Sequence, residues 1–182
     1  PIVLGSIRPV LIKESAMRKM TMVCAGAMLS VVLTVPAPSA AAEMPAGTLE
    51  KLVGLYEPMQ VALAADSVAT VKEQAAKVAA EADSIARASG GKPSLEAIEG
   101  LEDVVAAAKG MNASEIEALR AQFKALSHAV GRLVERQAVA GHGIYYCPMA
   151  DAYWVQKSGA VKNPYYGAKM LGCGEVVAKV AD

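Results

Sequence analysis

The sequence predicts an all-α fold: an up-down four-helix bundle with an irregular aromatic, Cys/Met-containing C-terminal cap. Three observations predict it. Of 182 residues, 36 are Ala and only eight are aromatic, a balance that favours closely approaching helices over β-sandwiches. From Thr48 to about Arg136 the apolar residues recur at spacings of three and four, the period of a single helix face. At Ala140-Gly141-His142-Gly143 the composition changes, and six of the eight aromatics then fall between Tyr145 and Tyr166. The domain reading follows: residues 1–42 are removed, 43–140 form the bundle, and 141–182 form a tail packed on it.

The N-terminal segment stands apart from the fold. Met17-Arg18-Lys19 reads as a start, with residues 1–16 upstream of it. A basic opening, the apolar run Met20–Val35 and Ala40-Ala41-Ala42 together describe a secretory signal peptide cleaved before Glu43. The run is 16 residues long, short of the ~20 needed to span a bilayer. The expected product is therefore periplasmic, with no stable membrane insertion after signal removal. Cleavage takes away Arg8, Lys13, Arg18, Lys19 and Glu14, which turns a formal net charge of zero into −3. Neither value supplies the basic excess that a general nucleic-acid binder needs.

Within the helical region, the first stripe is Leu49, Leu52, Tyr56, Met59 and Leu63. Pro58 interrupts it and predicts a kink or a late start. Asp66-Ser67 reads as the N-cap of a second helix with Val68, Val71, Ala75, Val78, Ala82 and Ile85 on one face. Ser89-Gly90-Gly91-Lys92-Pro93 is a break. Ser94 then caps Leu95, Ile98, Leu101, Val105 and Ala108, a helix ending at Gly110. Asn112-Ala113-Ser114-Glu115 has the form of a capping box. It opens the fourth stripe: Ile116, Leu119, Phe123, Leu126, Val130 and Leu133. No stripe can bury itself alone, and short connections favour antiparallel neighbours. An extended helical hairpin, as in pump adaptors, is the competing arrangement, and the Gly and Pro breaks count against it. His128, two residues past Leu126, falls on the outer face and reads as a solvated histidine.

The tail has turn signals at Lys157-Ser158-Gly159 and Asn163-Pro164, and short extended pieces at Ile144–Cys147 and Glu175–Val180. Export leaves two cysteines, Cys147 and Cys173. In an oxidising compartment they are a disulfide candidate. The bridge would close a loop of about 26 residues, worth roughly 3–4 kcal/mol in the chain-entropy account. The same segment also reads as a soft metal set. Cys147-Pro148-Met149 and Met170-Leu171-Gly172-Cys173 offer two thiolates and two thioethers, with His142 as a borderline nitrogen. Such donors select Cu(I), and by analogy Ag(I), over hard cations. A disulfide removes both thiolates, so the two readings exclude each other at any one moment. The alternative function is thus a disulfide-stapled interaction domain with no metal, in which Met149 and Met170 fill a small core.

No enzyme is predicted. The chain has no Ser/His/Asp set with a nucleophile motif, no Gly-rich phosphate loop after a strand and no paired-His metal motif. A Cys147/His142 nucleophile pair lacks a third, orienting group.

The tail also carries a resemblance. Tyr145-Tyr146-Cys147-Pro148-Met149-Ala150, Tyr153-Trp154-Val155-Gln156, Asn163-Pro164-Tyr165-Tyr166-Gly167 and Met170-Leu171-Gly172-Cys173-Gly174-Glu175-Val176 resemble a domain of unknown function. That domain occurs as small exported bacterial proteins and fused to periplasmic adaptor (membrane-fusion) subunits of copper/silver efflux pumps. The likeness is dense over residues 145–176 and rests only on helical pattern and order over 48–136. The Cys-Pro-Met and Cys-Gly pieces are also similar to the short heavy-metal-binding domain of those pumps. Here Ala150 stands where that domain has His, and Glu175 where it has Met, which removes two ligands. The resemblance implies a periplasmic accessory in copper/silver handling that binds a soft metal ion or contacts an efflux adaptor.

Overall fold

Four helices form as the spacing predicts: α1 (Thr48–Ala64), α2 (Val71–Ala88), α3 (Leu95–Lys109) and α4 (Ile116–Arg136). This computed structural model describes residues 44, 47–88 and 95–179, with the side chains of 95–99 and Lys179 excepted. The signal-peptide run, the start at Met17, the cleavage point, the break at 89–93 and the Ser94 cap lie outside the described residues.

Each helix runs antiparallel to the next. Lys51 at the start of α1 pairs with Glu81 late in α2, at 2.8 Å. Gly100 early in α3 lies under Leu133 late in α4. The end of α1 meets the start of α4 where Arg120 donates to the Leu63 carbonyl at 2.9 Å. At the other end of that pair, Gln137 exchanges two hydrogen bonds with the Met44 backbone. The predicted stripes are the core: Leu52, Tyr56, Met59, Val78, Ala82, Leu101, Phe123, Leu126 and Val130 are all buried. In α3 the fully buried position is Val104, with Val105 partly covered. No helix of the described residues is long and apolar enough to cross a membrane.

Several local signals resolve differently from expectation. α1 continues through Pro58 to Ala64. α2 begins at Val71, and Val68 is exposed. Asp66 does not cap α2, because its carboxylate is taken by Arg120 and by the Ala168 N–H. The capping box does not form either. Glu115 is the N-cap and makes no side-chain cap bond, while Asn112 is engaged by Gln122 at 3.0 Å.

The all-α prediction is overturned. The expected irregular cap is a three-stranded antiparallel sheet of β1 (His142–Cys147), β2 (Ala152–Lys157) and β3 (Glu175–Lys179), in the order β2-β1-β3. The fold is mixed, a helical layer with a sheet laid on α1 and α4. Two strands coincide with the extended pieces of the sequence. The third, β2, escaped for two physical reasons. Its Trp154, Val155 and Gln156 are all buried, because the helices cover one face and the segment 158–174 the other, so no alternation shows. Its hairpin turn also lacks the usual glycine: Asp151 takes the left-handed conformation at φ 45°, which Asp tolerates better than most residues.

One continuous buried cluster spans helices and sheet. Trp154 is fully buried, stacked on Tyr145 at 5.6 Å and edge-on to Tyr165 at 6.0 Å. Phe123 carries the aromatic contact into the bundle, with Tyr56 at 5.2 Å and Tyr165 at 6.1 Å. His128 is exposed as expected, but the sheet does fold over its face: Ile144, Tyr153 and Val177 line a groove beside it.

Candidate functional site: a dithiol at the end of the sheet

Cys147 is the last residue of β1, and the turn 148–151 folds directly over its sulfur. The Ala150 N–H donates to Cys147 Sγ at 3.4 Å. On a continued strand Cys147 and Met149 would point to one face; the turn instead sends Met149 outward, 63% exposed. Cys147 itself is fully buried.

The second sulfur comes from the other side of β1. Cys173 lies just before β3, closing a turn in which its N–H donates to the Met170 carbonyl at 3.0 Å. Its Sγ sits 3.4 Å from that of Cys147. Both are free thiols, Cys147 beneath and Cys173 partly exposed above it.

The Asn163-Pro164-Tyr165-Tyr166-Gly167 run explains why the second loop lies where it does. Asn163 is fully buried. Its amide donates to the Cys173 carbonyl at 2.7 Å, while its oxygen accepts the N–H groups of Tyr165 at 2.8 Å and Tyr166 at 3.3 Å. The Asn163 N–H donates to the Leu171 carbonyl at 2.8 Å. Pro164 offers its carbonyl to Arg120 Nε at 3.0 Å. Tyr165 donates its hydroxyl to the Tyr153 carbonyl. Tyr166 reaches across to the Met149 carbonyl at 3.0 Å, which ties the two sulfur-bearing loops together. Gly167 is required where it stands: at φ 55° a side chain would be strained, and its Cβ would collide with the Asp66 carboxylate and Arg120 guanidinium.

Gly174 plays the same part beside Cys173. Its φ is 143°, and a Cβ there would come within 2.5 Å of Trp154 Cη2. The chain passes flat over the indole only because this residue is glycine. Trp154 in turn donates to Gln156 Oε1 at 2.9 Å, and Gln156 donates to the Ala160 carbonyl at 2.9 Å.

The electrostatics divide the two thiols. Burial pushes Cys147 upward, but the Ala150 N–H, the Cys173 thiol, the Asn163 amide and the Met149 backbone outweigh it and leave its pKa below the ordinary value. Cys173 is pushed up, chiefly by its hydrogen bond to Cys147 and then by partial burial. Of the two, Cys147 is therefore the first to ionise, with Cys173 then placed to donate to it across the 3.4 Å contact.

Of the five predicted site residues, the structure brings together Cys147 and Cys173. Met170 is partly exposed in the turn leading to Cys173, and Met149 is at the hairpin tip. His142 opens β1 while Cys147 ends it; five strand steps separate them by about 17 Å. His142 instead faces Glu57 of α1 at 3.8 Å, beside Lys157. Among the described residues no cluster of three or more His, Cys, Asp or Glu side chains is placed to hold a metal ion.

Sequence reasoning missed two residues that position this site, Arg120 and Gln60, and named Asn163, Gln156 and Asp66 without the roles they play in it. Arg120, nearly fully buried, joins the end of α1, the start of α4 and the Pro164 loop through Leu63, Asp66 and Pro164. Gln60 donates to the Lys162 carbonyl at 2.6 Å. The available signal was a polar residue lying in an apolar stripe: Gln60 follows Met59, and Arg120 follows Leu119.

Comparisons with family models, curated proteins and solved structures gave no match to this chain.

Proposed function

We propose that this chain is an exported accessory of copper/silver handling that takes up one soft monovalent ion, Cu(I) or Ag(I), through Cys147 and Cys173. The observation that supports this reading is the dithiol: two free sulfurs 3.4 Å apart, the inner one hydrogen-bonded by backbone. A soft ion prefers thiolate to oxygen donors, and the inner sulfur is already held toward its ionised form. The donor set fits a two-sulfur site. With a metal–thiolate bond of roughly 2.3 Å, two sulfurs on opposite sides of an ion stand about 4.6 Å apart, so the pair must open by about 1 Å. Gly172 and Gly174 flank Cys173 and make that loop the side that moves. Met149 and Met170 lie on the two loops that bear the thiols and are the accessory donors of this reading; His142 is too distant to join them. Periplasmic location and an efflux adaptor as partner rest on the signal-like N-terminus and the resemblance of the tail.

The test is a titration of reduced protein with Cu(I) against a competing chelator. Wild type is expected to bind one ion per chain, and the Cys147→Ser/Cys173→Ser variant none. Equal behaviour of the two overturns the metal reading and leaves the disulfide-stapled interaction domain as the better account.

A further inference from the structure

We propose that Cys147 and Cys173 form a reversible thiol–disulfide exchange site for low-molecular-weight disulfides, with Cys173 as the entry sulfur and Cys147 as the buried resolving sulfur. The proposal stands apart from metal binding, since it needs only the two sulfurs. Accessibility sets the order of attack. Cys173 is partly exposed on a loop between Gly172, where added side-chain volume would meet nothing, and Gly174. Cys147 is fully buried beneath it, with the Ala150 N–H on its sulfur. An incoming disulfide therefore meets Cys173 first.

The exchange balances in two steps. Cys173, the accessible sulfur, first loses its proton to water; as thiolate it attacks one sulfur of the small disulfide, forms a mixed disulfide and expels one thiolate. Cys147, as thiolate, then attacks the Cys173 sulfur and expels the second. The protein loses two electrons and the two thiol protons. The small disulfide gains both electrons and leaves as two thiols. The second step is favoured by placement: the sulfurs are already 3.4 Å apart, and a disulfide at about 2.05 Å needs a closure of only about 1.4 Å. The backbone around Cys147 is held by the hairpin, by Tyr166 on Met149 and by Lys124 on the Ala150 carbonyl at 2.5 Å. The motion therefore belongs to the Cys173 loop. There Asn163 holds the Cys173 carbonyl but not its sulfur.

The test uses metal-free reduced protein and glutathione disulfide, with acid trapping and peptide mapping. Wild type is expected to pass to an intramolecular disulfide without lasting glutathione adduct and to return to dithiol on addition of excess reduced glutathione. Cys147→Ser is expected to accumulate a mixed disulfide at Cys173, and Cys173→Ser to react at least tenfold more slowly. Should Cys147→Ser fail to fold, limiting alkylation of folded wild type replaces it, and Cys173 is expected to be labelled first. Equal reactivity of the two cysteines, a stable adduct on wild type, or no oxidation by glutathione disulfide overturns the proposal.

Discussion

The helical layer and the sheet layer are held by different physics. In the bundle, each helix contributes a periodic apolar face, and the buried residues are almost all aliphatic or alanine. In the sheet layer the aromatic core is threaded by directional bonds. The buried polar residues of the described chain are Gln60, Arg120, Ser127, Gln156 and Asn163, and each lies at or beside the joint between the layers. Ser127 meets the Tyr56 hydroxyl at 2.7 Å, and that hydroxyl accepts the N–H of Val155 in β2. A layer held by periodic packing tolerates local change through neighbouring contacts. A layer held by single donors and acceptors has defined geometry and specific weak points, and it is this layer that carries the sulfurs.

The largest expected effect breaks the comparison from the helical side. Leu126→Ala removes a fully buried side chain and is expected to cost about 2–5 kcal/mol. Denaturant unfolding is expected to remain a single transition, because the buried cluster is continuous across both layers. A variant that loses only sheet signals would show that the layers are separable.

Arg120→Ala attacks the joint. It leaves the buried Pro164 carbonyl without its donor and the Leu63 carbonyl with only the Asp66 N–H at 3.2 Å, for an expected cost of about 1–3 kcal/mol. Hydrogen exchange should rise first in residues 158–174 rather than in α2 and α3. The partner in this joint adds a pH dependence. The Asp66 carboxyl is held below its ordinary value of 3.8, first by the Ala168 N–H and then by Arg120. Its contribution is therefore present above that ordinary value and lost as pH falls through the lower native one. Acid should loosen the same segment, and Asp66→Asn should blunt that response.

These two substitutions also show what a sequence can and cannot disclose. Leu126 belongs to a repeating pattern, so its burial was legible from spacing alone. Arg120 breaks the pattern by one residue and reads as a surface charge, since its partners lie 57 and 44 positions away. In the tail, the Cys-Pro-Met and Asn-Pro-Tyr-Tyr-Gly runs marked the right residues and the cysteine count paired Cys147 with Cys173, but the strand order that joins them was not readable. Cys147 and Cys173 approach only because β3 returns to β1 across the far side from β2. The β2 strand itself was hidden by two-sided burial. His142 looked close to Cys147 in sequence, whereas a strand places five residues in a line.

Gly174→Ala has a smaller expected effect, about 1–3 kcal/mol by overpacking against Trp154. Trp154 is the only tryptophan, so its fluorescence reports this contact directly. A red-shifted emission with slowed pairing of Cys147 and Cys173 is expected. An unchanged spectrum would show that the loop does not need to pass flat over the indole.

The smallest effect sharpens the site itself. Cys147 titrates below and Cys173 above the ordinary thiol value of 9.0. From the lowered native value up to 9.0 the unfolded chain binds more protons, so the stability of the reduced protein rises with pH. Above 9.0 the folded chain keeps the Cys173 proton longer, and stability falls. The difference in stability between wild type and the double Ser variant should pass through a maximum between the lowered Cys147 value and the raised Cys173 value. A monotonic difference would contradict the opposed shifts of the two thiols. Thiolate absorbance should show two separated steps rather than one.

The central claim is that the sheet layer delivers two sulfurs, and no nitrogen, to one ion. X-ray absorption at the metal edge of reduced protein loaded with one Cu(I) per chain tests it most directly. The account predicts a first shell of sulfur alone, with two thiolate-length bonds and at most a longer thioether contact from Met149 or Met170. A first shell containing imidazole nitrogen, or a spectrum unchanged in the Cys147→Ser/Cys173→Ser variant, would contradict it.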